Sequence, residues 1–227
     1  MNRGGLSLRL VSAEGARALD REASESWGLD PPALVEAAGR NCGRTLTEAF
    51  PGLFSPPPRI TAAAGSGNNG ADALVALRAL ILGGFAAAES SAVVTTRRGR
   101  EGDRDPRSRA LCSLGALGVP VLEWGSREAR DALAGSGVII DGIAGTGLRG
   151  PLRDAAGEMA AFVNGITGKD RDPGPFRGPF RPPVVVSIDV PSGNGDFWEP
   201  GMPILGADLV LAVEPVKACL YKPAARL

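Results

Sequence analysis

The 227-residue chain is 44% hydrophobic and 22% charged, the make-up of an ordinary globular protein, long enough to bury a sizeable core in one large domain or at most two. Lys+Arg and Asp+Glu number 25 each, so no global field favours nucleic acid or a membrane surface, and the absence of histidine excludes Ser-His-Asp, Cys-His and every histidine metal chemistry. Cys42, Cys112 and Cys219 are too scattered for a disulfide framework or a CxxC metal site, and no apolar run approaches the ~18 residues of a membrane span, so a cytoplasmic protein is expected.

Ser12 is positioned to cap a helix over Ala13–Trp27, in which Ala16, Leu19, Ala23 and Trp27 share a face. A second helix is expected from about Ala33 to Phe50, ended by Pro51, Gly52 and the triplet Pro56-Pro57-Pro58. Arg59–Ala64 reads as the first strand. It delivers Gly65-Ser66-Gly67-Asn68-Asn69-Gly70-Ala71-Asp72 to a helix over Ala71–Leu82. Glycines there let backbone N–H groups approach a ligand, and the helix offers its unpaired N-terminal donors to the same spot.

Downstream, Ser91–Thr96 and Val119–Trp124 read as strands, Pro106–Leu117 and Ser126–Leu133 as helices. Gly137–Asp141 is a further strand, followed by a second glycine-rich turn over 141–150 and a helix over Pro151–Asn164. Residues 165–183 are crowded with Gly, Pro and Arg and read as an exposed loop inside the domain. Val184–Ile188 and Leu209–Val213 are the last expected strands. Such alternation predicts a parallel α/β sheet covered by helices on both faces, preceded by two N-terminal helices.

Gly65-x-Gly67-x-x-Gly70 and Gly145-x-Gly147-x-x-Gly150 both satisfy the dinucleotide fingerprint, which raises a nicotinamide-dependent dehydrogenase. Two helices precede the first turn, however, and the next strand ends in Thr95-Thr96-Arg97-Arg98, without the acid that holds a ribose. The arginines are open to two readings, a 2′-phosphate contact or a solvated strand end. More telling, three strands end in polar clusters: Asn68-Asn69 with Asp72, then Asp141, then Asp189 with Ser192. The carboxyl ends of parallel strands share one edge, where ligands bind. Each aspartate could instead close a turn or cap a helix. An amide, a carboxylate and a hydroxyl suit a hard cation, and a monovalent ion fits Asn69, Asp141 and Ser192.

These blocks, Gly65–Asp72, Asp141–Leu148 and Ser187-Ile188-Asp189-Val190-Pro191-Ser192-Gly193, resemble the YjeF N-terminal domain family, which contains the NAD(P)H-hydrate epimerases. Asp20, Gly28-Leu29, Leu34–Gly39 and Gly206–Leu209 extend the resemblance over nearly the whole chain. It implies a three-layer α/β/α sandwich with a Rossmann-like sheet, and an isomerase that interconverts the R and S epimers of hydrated NADH and NADPH in nicotinamide nucleotide repair. Asn68, Asn69, Gly70, Ala71 and Asp72, with Gly145, Thr146, Gly147, Leu148, Arg149, Gly150 and Pro151, would bind that substrate. Asn69, Asp141 and Ser192 would hold potassium, and Asp189, with Asp72 in reserve, would contact substrate as the acid–base residue. A homodimer and a pairing with an ADP- or ATP-dependent dehydratase are implied as well. A scaffold module that keeps the fold without catalysis is the alternative, with the basic stretch Lys169–Arg181 as its partner-binding arm. Ala71 and Ala73 stand where the family usually carries glycine, and a positive φ at Ala71 would be strained.

Overall fold

A computed structural model of the chain describes residues 10–96, 105–169, 183–213 and 215–222. Strands β2 (Ile60–Ala64), β3 (Ser91–Thr95), β4 (Val121–Glu123), β5 (Val138–Gly142), β6 (Val184–Ile188) and β7 (Leu209–Leu211) form one sheet in the order β4-β3-β2-β5-β6-β7, with every neighbouring pair parallel. This is the doubly wound order of a Rossmann sheet, and its direction reverses between β2 and β5. Strand β1 (Leu10–Val11) pairs in parallel with β8 (Val216–Lys217) in a separate two-stranded sheet. At two residues each, these strands carry no readable period, and the sequence pattern did not predict them.

Side-chain alternation along the strands divides the core into two layers. Ala62, Ala64, Val93, Val138, Ile140, Val184, Val186 and Ile188 face one side. There they meet Val35, Cys42 and Leu46 of α2 (Pro31–Ala49), the apolar body of α3 (Asn68–Leu82), and Ala110, Leu111 and Leu114 of α4 (Pro106–Ala116). Ala63, Val94, Ile139 and Val185 face the other side, against Ala129 and Leu133 of α5 (Arg127–Ala134) and Met159, Ala160 and Val163 of α6 (Asp154–Thr167). The expected three-layer α/β/α sandwich, with two helices ahead of the first sheet strand, is the one observed.

Helix α1 (Ala13–Trp27) is capped as expected: Ser12 Oγ accepts from the Gly15 N–H at 3.0 Å. Helix α3 begins at Asn68, earlier than the predicted Ala71, because extended Gly67 supplies the N-cap and both asparagines fall in the first turn. Ala71 and Ala73 therefore sit inside α3, and among the described residues positive φ outside glycine is confined to Asp154 and Asp189. Helix α6 starts later than predicted, and residues up to Thr167 belong to it rather than to the loop expected from 165; Gly168, at φ 71°, ends it. The Lys169 ammonium pairs with Asp208 at 2.5 Å, so it is not part of a free basic arm. Arg97, Arg98 and the remainder of that arm lie outside the described residues.

Candidate active site

At the point where the strand order reverses, the turns leaving β2 and β5 lie in contact. A Cβ on Gly65 would meet the Ile143 carbonyl oxygen at 1.8 Å, and one on Gly70 would meet the Gly65 oxygen at 2.4 Å. Gly142 lets α3 close onto β5, since a Cβ there would stand 2.5 Å from the Asn69 carbonyl and 2.6 Å from Ala73 Cβ. Above these turns opens a cleft of about 1300 Å³, roomy for a nucleotide. Helices α1 and α2 form one wall, with Arg17, Asp20, Leu34, Ala38 and Cys42 among its residues, and the ends of β6 and β7 close the other.

The N-terminus of α3 points its backbone donors at this cleft. Gly67, Asn68, Asn69 and Gly70 line it, and no side chain caps the helix, which leaves the first-turn N–H groups open to an anion. Facing them, residues 143–148 complete the floor. The Arg17 guanidinium donates to the Thr146 carbonyl and so ties that loop to α1.

Asn69 is 9% exposed, and neither its Oδ1 nor its Nδ2 has a hydrogen-bond partner among the described residues. A buried amide with both ends unpartnered is costly unless a ligand completes it. It packs against the turn after β5, where a Cβ on Gly145 would stand 2.8 Å from Asn69 Cβ. Asp141, fully buried in β5, lies opposite Ser187 in the sheet register and accepts from its hydroxyl at 2.7 Å. Ser192 adds its N–H at 2.9 Å and its hydroxyl, and the Ile143 N–H donates at 3.1 Å. Burial pushes the Asp141 carboxyl up while these donors pull it back. The network fastens the turn after β6 to the turn after β5; Ser192 Oγ also accepts from the Ala144 N–H at 2.8 Å.

Asp189 follows β6 at φ 65°, a left-handed conformation that aspartate tolerates better than most residues. Its carboxyl accepts from Lys217 Nζ at 2.6 Å and from the Val213 N–H at 3.3 Å. Burial raises its pKa, and the Lys217 ammonium works against that rise. Asp72, near the start of α3, is pushed up to about 7 by burial and then by the Asp189 charge. Cys42 is driven to about 12 by burial beside the same two carboxyls, so its thiol is not a nucleophile here.

Of the residues singled out from sequence, Asn68, Asn69, Gly70, Asp72, Gly145, Thr146, Gly147, Leu148 and Asp189 line this one cleft. Asp141 and Ser192 lie fully buried and bonded to each other. Ala71 turns into the core, and Arg149, Gly150 and Pro151 follow the loop beyond the cleft lining. Lys217 was missed: it comes from a two-residue strand in what reads as a tail, and no local pattern marks it.

A sequence model of the family described as YjeF-related protein N-terminus matches residues 32–219. The chain belongs to that family. This YjeF-related chain is 30% identical over 191 residues to the NAD(P)H-hydrate epimerase of Mycosarcoma maydis, covering 82% of the chain and 64% of that relative. It is 30% identical over 205 residues to the bifunctional NAD(P)H-hydrate repair enzyme Nnr of Hyperthermus butylicus, covering 88% and 34%. The YjeF-related chain thus spans about two thirds of one relative and a third of the other. The crystal structure of the yeast protein YNL200c shares its fold, with a TM-score of 0.76, 23% identity, and coverage of 93% of this chain and 83% of the yeast chain. No helix among the described residues is long and apolar enough to cross a membrane.

Proposed function

We propose that the protein is an NAD(P)H-hydrate epimerase, an isomerase that interconverts the R and S forms of hydrated NADH and NADPH. The observation that carries this reading is a nucleotide-sized cleft at the topological switch point, with an uncapped helix N-terminus on one side and two carboxyls, the half-buried Asp72 and the buried Asp189, among its lining residues. Relatives of the chain that bear the epimerase name support the substrate class.

The first turn of α3 and the loop over 145–148 would cradle the phosphates, with backbone N–H groups meeting the charge. Epimerising the hydrated carbon requires its hydroxyl to leave and return, or the ring to open and close, and either route needs a proton given and a proton taken. A positioned carboxyl contributes about 10²–10⁴-fold to such a step. Asp189 is the acid–base residue of this proposal, and Asp72 lies within electrostatic reach of it.

A potassium ion belongs to the same reading. The unpartnered Asn69 Oδ1 is a buried acceptor that a hard cation would satisfy, and Asp141 and Ser192 supply further oxygens beside the β5 turn. Bound there, the ion would add positive charge beneath the phosphate cradle. A homodimer that buries the exposed Leu10, Leu19, Trp27 and Leu29 is also part of the proposal. So is work alongside a hydrate dehydratase, supported by the bifunctional relative.

The test supplies a mixture of both hydrate epimers with an epimer-specific dehydratase and follows consumption of the epimer that enzyme cannot use. Acceleration by the wild type, and a loss of about 10²-fold or more in Asp189→Asn, are expected. No acceleration, or full activity in that variant, would defeat the assignment.

A further inference from the structure

The cleft holds one lysine that neither the motifs nor the phosphate cradle account for. Lys217 is 4% exposed. Its ammonium reaches Asp189 Oδ1 at 2.6 Å and donates to the Val213 carbonyl at 2.9 Å. The second contact fixes it to the segment whose Val213 N–H also touches Asp189, so carboxyl and ammonium are oriented as a unit. Asp72 presents a contrast: its Oδ1 is buried and has no hydrogen-bond partner among the described residues. Burial favours the protonated form of both carboxyls, and the Lys217 ammonium opposes it at both, but among the described residues it is in hydrogen-bond contact with Asp189 and acts on Asp72 only through space.

We propose that Lys217 is a positioning residue that divides the work of the two carboxyls, holding Asp189 as the carboxylate base and leaving Asp72 as the acid. This rests on the epimerase reading. In the hydroxyl-exchange route, Asp72 gives its proton to the hydroxyl on the hydrated carbon, the C–O bond breaks, water departs, and the ring nitrogen supplies the electron pair that the carbon loses. Water then adds to the opposite face and surrenders its proton to Asp189. The proton returns from Asp189 to Asp72 through solvent before the next turnover, so atoms and charge balance. Paired titratable groups pushed apart by their surroundings are a recurrent way to obtain both functions at one pH.

Several other groups share this neighbourhood. Asp20 from α1, Cys42 from α2, Asp72 from α3 and Cys219, just after β8, act electrostatically on Asp189 or feel its charge. Arg17, Arg21 and Glu25 of α1 and Arg44 of α2 line the same cleft. Among the described residues, Lys217 is the cation that forms an ion pair with Asp189.

Two readouts in Lys217→Met and Lys217→Arg test this, one of them independent of activity. In protein labelled with ¹³C at the aspartate side-chain carboxyls, with the Asp189 signal assigned through Asp189→Asn, Lys217→Met should move the Asp189 titration upward by about 1–3 pH units. Lys217→Arg should restore most of it. In the coupled assay, kcat in Lys217→Met should fall about 10²-fold with KM changed only a few-fold, and the acid limb of its pH profile should move up by the same amount as the carboxyl signal. An unmoved carboxyl and an unmoved acid limb in a folded Lys217→Met would overturn the proposal. If wild type fails to epimerise, the functional reading falls, while the carboxyl titration still decides the pairing. Should Lys217→Met not fold, the double variant Lys217→Met/Asp189→Asn is expected to regain the fold, because it removes the unpaired buried charge. A double variant that stays unfolded while Asp189→Asn folds would show that Lys217 serves its strand rather than Asp189, and would also overturn the proposal.

Discussion

Asp72 and Asp189 face one cleft, yet among the described residues only Asp189 has a cation in hydrogen-bond contact, and that difference has a measurable thermodynamic consequence. Because the folded protein holds the Asp72 proton more tightly than the unfolded chain does, this group's stabilising contribution is complete below its ordinary value of 3.8 and is lost as pH rises through about 7. Asp72→Asn, neutral and of the same shape, is therefore expected to be more stable than wild type at pH 8 by about 2–4 kcal/mol and equal to it near pH 4. Thermal melts across that range check it, and a difference that does not vary with pH would contradict it. Asp189 and Asp141 were legible because each ends an apolar run that reads as a buried strand. Lys217 was not, since a buried lysine is recognisable only from its partner, and the partner here stands 28 residues away in sequence.

At the scale of elements, the two glycine-rich turns were visible in the sequence, but which glycines matter was not. Spacing treats Gly65, Gly67 and Gly70 alike, whereas contact separates them: a methyl on the first or the last would strike backbone, while one on Gly67 would have nothing within 4 Å. Gly65→Ala is expected to destabilise by about 3 kcal/mol or more, or to prevent folding, because its neighbour is a carbonyl that cannot yield. Gly67→Ala, at an extended N-cap position, should cost well under about 1 kcal/mol. Denaturant melts of the two variants decide this, and equal effects would mean the turns are not packed as described. Asn69 shows the same limit of pattern reading. Its polarity marked it for recognition, but its unpartnered amide appears only once α3 is set against β5.

For the whole molecule, alternating strand and helix patterns predicted a parallel sheet, while the strand order that makes β2 and β5 neighbours is a property of packing that no local period contains. That order turns two separate glycine motifs into one floor. The outer surface carries a different signal: Trp27 is 67% exposed, with Leu10, Leu19 and Leu29 also open to solvent. If the proposed homodimer buries Trp27, sedimentation velocity should find a dimer in the wild type and a monomer in Trp27→Glu, with the monomer's fold unchanged. A dimer that survives the substitution would move the interface elsewhere.

The pairing of β1 with β8 bears on how the protein comes to life. It sets Val11 beside Lys217, positions 206 residues apart by the difference 217 − 11, which is the widest loop closure among the described strand pairs. Such closure carries an entropic cost that the central sheet, built from nearer neighbours, largely avoids. If this pairing is what seats Lys217 against Asp189, the far-ultraviolet signal of the sheet and helices should return in refolding experiments before the proposed epimerase activity does. The interval between the two would time the docking of β1 on β8, the step that completes the strand carrying Lys217.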